Sequence, residues 1–280
     1  MRSPVPPAGA EAERCSGIAV GVLLLWVVFL IAPNVARSAA LVPAAEIGGG
    51  IPTDVVLSGD VLYVAAMTRL SVYRVEPDGA LTAVGGLPGV GMRRLQVHGN
   101  FAYVACGSMG VWMLDVSSPA KPSQIGYVDT EGEANALYVR YPLVYVADGP
   151  GGLLILDVSK PGTPRSAGAC SVGDDARGVW VGGAYAYVAC GEDGVAVVDI
   201  ADPTAPRVVH TIGTPGTARW VTGNGSLLAV ACGESGVHFL DISTPTKHRV
   251  LGFYPSPDVH EVVLQGTRAY VAEGTAGFSV

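Results

Sequence analysis

Short apolar runs alternate with Gly-rich and Pro-rich turns from about residue 53 to the end of the chain. Runs such as residues 176–181 alternate between apolar and polar positions, which is typical of a half-buried strand. Runs such as LLIL at residues 153–156 are apolar on both faces, as expected for a strand between stacked sheets. No helical periodicity interrupts them. The pattern predicts an all-β fold of short antiparallel strands.

The apolar pattern repeats with a fixed period of 42 residues. Near-copies begin at Ala102 (AYVACGSMGVWMLDVSSPAKP), Val144, Ala186 and Leu228. Weaker copies begin at Tyr63 and Tyr270. A constant period of this length indicates a repeat architecture, in which each repeat is one supersecondary unit.

Each repeat is predicted to contain four antiparallel strands. The first hairpin turns are predicted at Gly59-Asp60, Gly99-Asn100 and Gly223-Asn224. A second hairpin follows at paired glycines such as Gly107 and Gly110, and a Pro-bounded loop then leads to a more polar edge strand. Four strands per repeat predict the blade of a β-propeller. A solenoid is the alternative, but it needs polar terminal caps, and the sequence shows none.

Both ends of the repeat region suggest how the ring closes. Residues 41–49 (LVPAAEIGG) resemble a fourth strand, and the chain ends within a third strand at residues 277–280. We therefore predict six blades, with the N-terminal strand completing the last one and removing both open edges. The Asp that ends a blade would fall two residues beyond Val280. The sequence thus leaves open a C-terminally truncated chain and a larger number of blades.

The N-terminal segment has the layout of a signal peptide. Arg2 and Arg14 precede the uncharged apolar residues 17–32, and small residues follow at Ser38 and Ala40. We predict a cleaved signal peptide over residues 1–40, with an uncleaved N-terminal anchor as the alternative. Residues 41–280 are predicted to form a single β-propeller domain. The expected location is extracytoplasmic: secreted, periplasmic or at the cell surface.

The charge balance narrows the class of partner. The formal net charge is −7 at pH 7. An acidic protein does not offer the basic surface that follows a phosphate backbone, so nucleic acid is not expected as a partner. Contact with a membrane is expected only through an uncleaved N-terminal segment.

The tract LLILDVSKPGTP at residues 153–164 and its sibling tracts resemble the LVIVD repeat, found in secreted and surface proteins of bacteria and archaea. The similarity covers nearly all of residues 53–280 and is strongest at the YVA, G-x-x-G and ILDVS-x-P elements. The resemblance implies a propeller and an extracytoplasmic location, and it implies little about activity. The sequence departs from the pattern at Val75, in place of Asp, and at His248, in place of the second Pro.

The strand register predicts one polar rim on the propeller. Arg93 should face Cys106, Asn135 should face Asp148, Arg177 should face Cys190, Arg219 should face Cys232 and His260 should face Glu273, with Thr53 facing Ala66 in the first blade. Polar groups around a central mouth form a candidate ligand site. The rim candidates are Arg93, Asn135, Asp148, Arg177, Arg219, His260 and Glu273. The alternative is that these side chains only cover the blade ends in solvent.

Other repeated polar residues have a structural interpretation. Asp115, Asp157, Asp199 and Asp241 are expected to accept hydrogen bonds from backbone N–H groups two or three residues on and so fix the turns. The repeated cysteines are expected to be small core residues, and a reactive thiol or a metal site stays open as an alternative. We expect no metal, no cofactor and no catalytic residue.

The preferred hypothesis is a non-enzymatic scaffold that binds a protein or surface ligand through the rim. The alternative is a propeller-fold hydrolase or lyase in which His260 and Glu273 form an acid/base pair.

Overall fold

A computed structural model describes residues 52–173 and 175–280. It contains six antiparallel sheets, five with four strands and one with three described strands. The sheets are the blades of a six-bladed β-propeller, which confirms the predicted fold class. Among the described residues the one helical element is a single 3-10 turn, Gly274–Ala276. No helix of this part of the chain is long and apolar enough to cross a membrane.

The strands follow one another along the chain, blade by blade. The first blade contains β1 (Pro52–Ser58), β2 (Val61–Ala66), β3 (Arg69–Val75) and β4 (Leu81–Pro88). The second contains β5 (Arg94–His98), β6 (Phe101–Ala105), β7 (Val111–Asp115) and β8 (Ser123–Val128). The third contains β9 (Ala136–Arg140), β10 (Leu143–Ala147), β11 (Leu153–Asp157) and β12 (Arg165–Cys170).

The remaining blades follow the same plan. The fourth blade contains β13 (Gly178–Gly182), β14 (Tyr185–Ala189), β15 (Val195–Asp199) and β16 (Arg207–Ile212). The fifth contains β17 (Trp220–Asn224), β18 (Leu227–Ala231), β19 (Val237–Asp241) and β20 (Arg249–Tyr254). The described part of the sixth contains β21 (Glu261–Gln265), β22 (Arg268–Ala272) and β23 (Phe278–Ser279).

The first strands of successive blades contact one another and surround the propeller axis. β1 lies beside β5, β5 beside β9, β9 beside β13, β13 beside β17 and β17 beside β21. The predicted closing strand at residues 41–49 and the predicted signal peptide lie outside the described residues, so both stay predictions.

The first-hairpin turns agree with the sequence at two predicted positions and differ at the third. The pairs Ser58↔Val61 and His98↔Phe101 confirm turns at Gly59-Asp60 and Gly99-Asn100. The predicted turn at Gly223-Asn224 is wrong, because Asn224 pairs with Leu227 and the turn is Gly225-Ser226. Gly223 stays in the strand, where an added Cβ would come within 2.6 Å of the Trp180 ring.

Most of the apolar core lies between neighbouring blades, and one cluster around Leu62 and Val64 lies on the first blade alone. Tyr103, Tyr145 and Tyr187 come from the second strands of three blades and are almost completely buried. One core cluster joins Tyr145 and Ile155 of the third blade to Val188 and Val198 of the fourth. Stacking of neighbouring blades therefore supplies the burial that stabilises each sheet.

Main-chain hydrogen bonds also tie neighbouring blades together. The first glycine of each G-x-x-G hairpin forms a bridge to the segment just before the next blade, as in Gly107↔Ala134 and Gly149↔Ala176. Gly107 and Ala134 exchange two N–H···O bonds of 3.0 Å. Gly107 adopts a φ of 56°, which disfavours residues with a Cβ. The repeated glycine is thus part of the contact between blades.

The repeated Asp residues fix the loops that follow the third strands, as predicted. In each case the Oδ1 atom accepts a backbone N–H bond of 2.9 to 3.1 Å from the residue two positions on. These bonds involve Asp115 with Ser117, Asp157 with Ser159, Asp199 with Ala201 and Asp241 with Ser243. Hydrogen bonds from the same partners lower the pKa of each carboxyl group.

The Pro-bounded loops of the second, third and fourth blades each cover a glycine in the fourth strand of the preceding blade, and we call such a contact between a loop and the preceding blade a joint. An added Cβ would lie 2.3 Å from the Pro119 carbonyl at Gly85, 2.4 Å from that of Pro161 at Gly126, and 2.4 Å from that of Pro203 at Gly168. Only a residue without a side chain allows the loop to approach so closely.

The fourth joint uses different residues. His210 of β16 takes the place of the glycine, and His248 takes the place of the second proline of the covering loop. Their rings lie 5.5 Å apart, and His210 Nε2 is 3.3 Å from His248 Nδ1. Burial and the neighbouring His210 lower the pKa of His248.

The joints predict that a Gly→Ala substitution has unequal effects on stability at two equivalent glycines, Gly168 and Gly252. Gly168→Ala should lower the free energy of unfolding by about 1–3 kcal/mol, because the new methyl group would overlap the Pro203 carbonyl and Pro206 Cδ. Gly252→Ala is the matched control, since no described atom lies within 4 Å of its added Cβ, and it should stay within about 0.5 kcal/mol of the parent. Urea unfolding of the two variants checks this. Equal stability of both would contradict the close approach at the joint.

Candidate functional site

The predicted rim residues lie at one end of the propeller, next to the starts of first strands and the ends of second strands. The ladders place Arg94 opposite Ala105, Ala136 opposite Ala147 and Gly178 opposite Ala189, so the register predicted for the preceding residues is confirmed. The same holds for Arg219 and His260. The first blade differs, because a bulge pairs Pro52 with Ala66, and the predicted pairing of Thr53 with Ala66 is wrong.

Each rim arginine is paired with a carboxylate. Arg177 donates to Asp175 Oδ2 at 2.6 Å from Nε, and Arg219 donates to Asp258 Oδ1 at 2.8 Å from Nη1. Arg93 Nη1 lies 2.9 Å from Glu133 Oε2. The arginines are therefore charge-compensated, and the rim does not present bare positive charge to an anionic ligand.

Asn135 connects three blades at the rim. Its Oδ1 accepts a hydrogen bond from Arg93 of the segment leading into the second blade. Its Nδ2 donates to the carbonyl of Ala176, which leads into the fourth blade, at 2.9 Å. This side chain has a positioning role between neighbouring inner strands.

His260 and Glu273 face each other in the register but bind different partners. His260 Nε2 lies 3.2 Å from Asp258 Oδ2, and the His260 side chain is 56% exposed. Glu273, 8% exposed, accepts a 2.5 Å bond from Ser279 Oγ, which in turn accepts one of 3.0 Å from the Tyr254 hydroxyl. The two side chains do not share a hydrogen bond in the structure.

Asp148 is buried at the start of the β10–β11 hairpin and contacts the loop that leads into the third blade. Its Oδ2 accepts the N–H of Gly132 at 2.9 Å. Burial raises the pKa of the Asp148 carboxyl group, while the hydrogen bond from the Gly132 N–H acts in the opposite direction. An added Cβ at Gly151 would lie 2.3 Å from Asp148 Oδ2, so the loop packs closely around this carboxylate.

The repeated cysteines are buried and protonated. Burial raises the pKa of Cys106 to about 12, of Cys190 to about 11 and of Cys232 to about 12. Each thiol points to the carbonyl oxygen two residues earlier, at 3.2 Å for Cys190. A thiol held in this form is a poor nucleophile. Within residues 52–173 and 175–280, no group of three or more His, Cys, Asp or Glu side chains could hold a metal ion.

A second cluster lies one residue further along the inner strands, and the rim prediction missed it. It consists of Asp54, Arg94, Trp220 and Glu261, and we call it the axial cluster. Arg94 Nη2 lies 2.7 Å from Glu261 Oε2, and Nη1 lies 3.6 Å from Asp54 Oδ1. The guanidinium carbon stands 4.1 Å above the Trp220 ring. One arginine thus connects the first, second, fifth and sixth blades.

The axial cluster is largely shielded from solvent. The side chains of Asp54, Glu261 and Arg94 are 15%, 18% and 20% exposed. Asp54 also accepts the N–H groups of Leu95 at 2.7 Å and Val55 at 2.8 Å. Burial raises the pKa of Asp54 to about 6, with Glu261 adding to the shift and Arg94 opposing it. Two carboxylates thus compete for one guanidinium in a region of low exposure.

The sequence contained a signal for the axial cluster. At equivalent positions the third and fourth blades carry the small residues Ala136 and Gly178. An added Cβ at Gly178 would lie 3.0 Å from Trp220 Cε3, so the absence of a side chain there admits the indole. Three charged residues at one strand position mark a site where side chains from several blades meet.

The loops at the rim end are strongly acidic. In the part of the chain that the structure describes, their only arginines are Arg93, Arg177 and Arg219. Their carboxylates are Asp129, Glu131, Glu133, Asp148, Asp175, Glu192, Asp193, Glu234, Asp258 and Glu273. The lysines of the chain, Lys121, Lys160 and Lys247, all lie on Pro-bounded loops at the opposite end. The two ends of the propeller therefore differ in charge.

Exposed apolar side chains lie on the rim loops of the first two blades. Met67, Val90 and Met109 are exposed on adjoining rim loops. The Gly91 N–H donates to the Met67 carbonyl at 2.7 Å, and an added Cβ at Gly91 would lie 2.8 Å from the Cys106 carbonyl. Met109 in turn donates its N–H to that carbonyl at 3.0 Å. We call these three side chains the methionine patch.

An open cavity of about 400 Å³ lies at the same end, near the fifth and sixth blades. Its lining residues are Glu234, Ser235, Phe253, Pro255, Ser256 and Pro257.

Comparison with known proteins identifies the repeat and the fold. Residues 92–130, 131–172 and 173–214 each match the LVIVD repeat. No curated protein matches the chain significantly.

A protein of unknown function from Desulfotomaculum acetoxidans is similar in structure, with 14% identity, a TM-score of 0.69 and coverage of 80% of both chains. A protein from Lactobacillus plantarum has 13% identity and a TM-score of 0.70, covering 82% of this chain and 83% of its own. The computationally designed protein Ika8 has 13% identity and a TM-score of 0.61, covering 82% and 70%. At these identities the likeness establishes the fold alone.

The axial cluster predicts different roles for two adjacent arginines. Arg94→Ala should lower the free energy of unfolding by about 3–5 kcal/mol, because it leaves two shielded carboxylates without their counter-ion. Arg93→Ala, the matched control, removes an ion pair with a half-exposed Glu133 and a hydrogen bond to the part-buried Asn135, and it should cost less than Arg94→Ala, about 1–2 kcal/mol. Equilibrium unfolding in urea at pH 7 compares them. If Arg94→Ala lowers the free energy of unfolding no more than Arg93→Ala does, the axial cluster does not stabilise the propeller.

Proposed function

We propose that this LVIVD-repeat protein, which carries the repeat over residues 92–214, is a non-enzymatic scaffold that binds a cationic protein or peptide partner at the rim end of its propeller. The observation that carries the proposal is the concentration of carboxylates on the rim loops, together with the methionine patch beside them. The fold itself supports a scaffold of packed blades with variable loops at each end.

The charge of the rim end favours a positively charged partner. Asp129, Glu131, Glu192, Asp193 and Glu234 are exposed, whereas the nearby arginines are paired with other carboxylates. A surface of one sign raises the encounter rate with partners of the opposite sign and repels polyanions. Nucleic acid is therefore not the proposed partner.

The methionine patch supports a protein rather than a small ion as the partner. Methionine side chains adapt to irregular apolar surfaces and are common at protein-binding sites. Met67, Val90 and Met109 supply the apolar contact that charges alone do not give. The proposed occupant is thus a segment that combines apolar side chains with lysine or arginine.

The hydrolase or lyase alternative has less support. General acid/base catalysis needs groups within hydrogen-bond reach of a common substrate atom. His260 is engaged with Asp258, and Glu273 is engaged with Ser279. No observation at the rim favours the enzyme over the scaffold.

The binding proposal predicts a loss that depends on where charge is reversed. A fluorescent peptide of alternating Lys and Leu should bind the chain, and a Glu/Leu peptide of equal length should not. A triple variant with Glu131→Lys, Glu192→Lys and Glu234→Lys should weaken binding at least about tenfold and reduce its salt dependence. The reason is that it replaces three negative charges on the rim loops by positive ones, which repel the Lys/Leu peptide. Fluorescence anisotropy at two salt concentrations measures both effects.

The control carries the same change of charge at the other end. Asp60→Lys, Glu76→Lys, Asp78→Lys alters the first blade away from the rim and should leave binding within about twofold of the parent. A similar loss in both triple variants would mean that net charge alone drives binding. Equal binding of the Glu/Leu peptide would contradict a cationic partner.

Export of the protein is part of the proposal and rests on the N-terminal sequence. Arg2, Arg14 and the apolar residues 17–32 support a signal peptide, and the small residues at Ser38 and Ala40 support its cleavage. Expression of the full chain in a secreting bacterial host should yield a mature N-terminus after Ser38 or Ala40, read by mass spectrometry. A chain that keeps Met1 and stays in the cytoplasm would overturn the proposed export.

A further inference from the structure

The open cavity near the fifth and sixth blades combines an aromatic ring with a carboxylate. We call it the fifth-blade cavity, and it is lined by Glu234, Ser235, Phe253, Pro255, Ser256 and Pro257. Its volume of about 400 Å³ lies within the range of ligand sites, roughly 300–1,000 Å³. The two prolines and the ring offer apolar surface to the methylene groups of a long side chain. The cavity thus has room for one side chain of a larger partner.

The Phe253 ring is held from one side and exposed to solvent. The His238 ring stacks on it, with the ring centroids 5.8 Å apart and an interplanar angle of 15°. His238 is held in turn by the hydrogen bond of 3.0 Å that its Nε2 donates to the Ser235 carbonyl. Phe253 nevertheless stays 63% exposed. A ring that is positioned in this way offers an aromatic face to a ligand.

The exposure of Phe253 does not depend on the sixth blade. Tyr127 occupies the equivalent strand position of the second blade, where the Pro161 loop covers the neighbouring Gly126. Tyr127 is 64% exposed, almost the same as Phe253. An aromatic side chain at this position is therefore exposed even where the next blade covers the preceding residue.

Among the second to fifth blades, the fifth alone has both the ring and the carboxylate. After the first hairpin glycine the four blades have Ser108, Pro150, Glu192 and Glu234. At the position of Phe253 they have Tyr127, Ala169, Thr211 and Phe253. The second blade thus has a ring without the carboxylate, and the fourth blade has the carboxylate without a ring.

The carboxylate of the cavity lacks a cationic partner in the described part of the chain. Glu234 is exposed, and none of the ion pairs of residues 52–173 and 175–280 involves it. Arg219 packs against the neighbouring Gly233 but is paired with Asp258 at 2.8 Å. A cation that enters the cavity therefore meets a carboxylate without a counter-ion.

Given the cationic partner of the proposed function, on which this inference rests, we propose that the fifth-blade cavity binds an arginine side chain of that partner. The guanidinium stacks on Phe253 and pairs with Glu234. A guanidinium is planar and weakly hydrated, so it suits an aromatic face and a carboxylate together, whereas the ammonium of lysine is a compact and strongly hydrated charge. The axial cluster has the same combination, since Arg94 stands 4.1 Å above Trp220 and lies 2.7 Å from Glu261.

Two fluorescent peptides of equal length test the preference for arginine, one of alternating Arg and Leu and one of alternating Lys and Leu. The full chain should bind the Arg/Leu peptide at least about fivefold more tightly than the Lys/Leu peptide, measured by fluorescence anisotropy. Phe253→Ala and Glu234→Gln should each reduce this ratio of affinities to less than about twofold. Both side chains are exposed, so the variants should fold, and circular dichroism checks that they do.

Equivalent positions of other blades supply the matched controls. Tyr127→Ala removes an equally exposed ring from a blade that has Ser108 in place of Glu234, and it should keep the preference for arginine. Glu192→Gln removes the same charge from a blade that has no ring beside it. It should weaken the binding of both peptides to the same extent and therefore also keep the preference.

The outcomes separate this site from the proposed function. Equal affinity of the parent for the two peptides, or an unchanged preference in Phe253→Ala or Glu234→Gln, would overturn the arginine site while binding of a cationic partner stands. Loss of the preference in either control would mean that the fifth-blade cavity is not its source, and would overturn the site equally. If neither peptide binds the parent, the proposed function fails, and the arginine site fails with it.

Discussion

A blade of four short strands has two apolar faces, and it cannot bury either of them by itself. Each face must be covered by a neighbouring blade, so the stacking of blades is what stabilises each sheet. The glycines of the repeat follow from this constraint. Gly168 lets the Pro203 loop of the next blade reach the strand backbone, and Gly107 forms main-chain bonds with Ala134 across the same kind of boundary. Contacts between blades, rather than within them, therefore determine which residues recur.

The first and sixth blades are connected by ion pairs, whereas successive blades stack mainly through apolar contacts. Neighbouring blades meet through apolar clusters and glycine joints, whereas the first and last described blades are connected through Arg94 of the second. A guanidinium can reach two carboxylates and an aromatic face at once, which suits a place where four blades converge. The arrangement carries an electrostatic cost, since burial raises the pKa of Asp54 to about 6 even beside Arg94.

The sequence predicted what depends on the period and failed where the outcome depends on several blades at once. The blade plan, the register of Arg219 with Cys232, and the turn bonds of Asp115 and its equivalents all follow from local pattern, and the structure agrees. The turn predicted at Gly223 was wrong because contact with Trp180 of the previous blade, not turn propensity, requires that glycine. Arg94 was missed because its partners are distant in sequence.

Departures from a repeat are more informative about a specific site than the repeat itself. A residue present in every blade is needed by every blade, as with Asp115 and its equivalents, so its recurrence points to folding. A residue that differs in one blade is free of that requirement, and its contacts show what it does instead. Arg94 lies at a position where the blades share no residue type and meets Asp54 and Glu261, and His210 replaces glycine and meets His248. In both places residues that are not common to the blades lie in contact with one another. Positions at which one blade differs from the others, such as Arg94 and His210, are thus the first places to look for contacts specific to this protein.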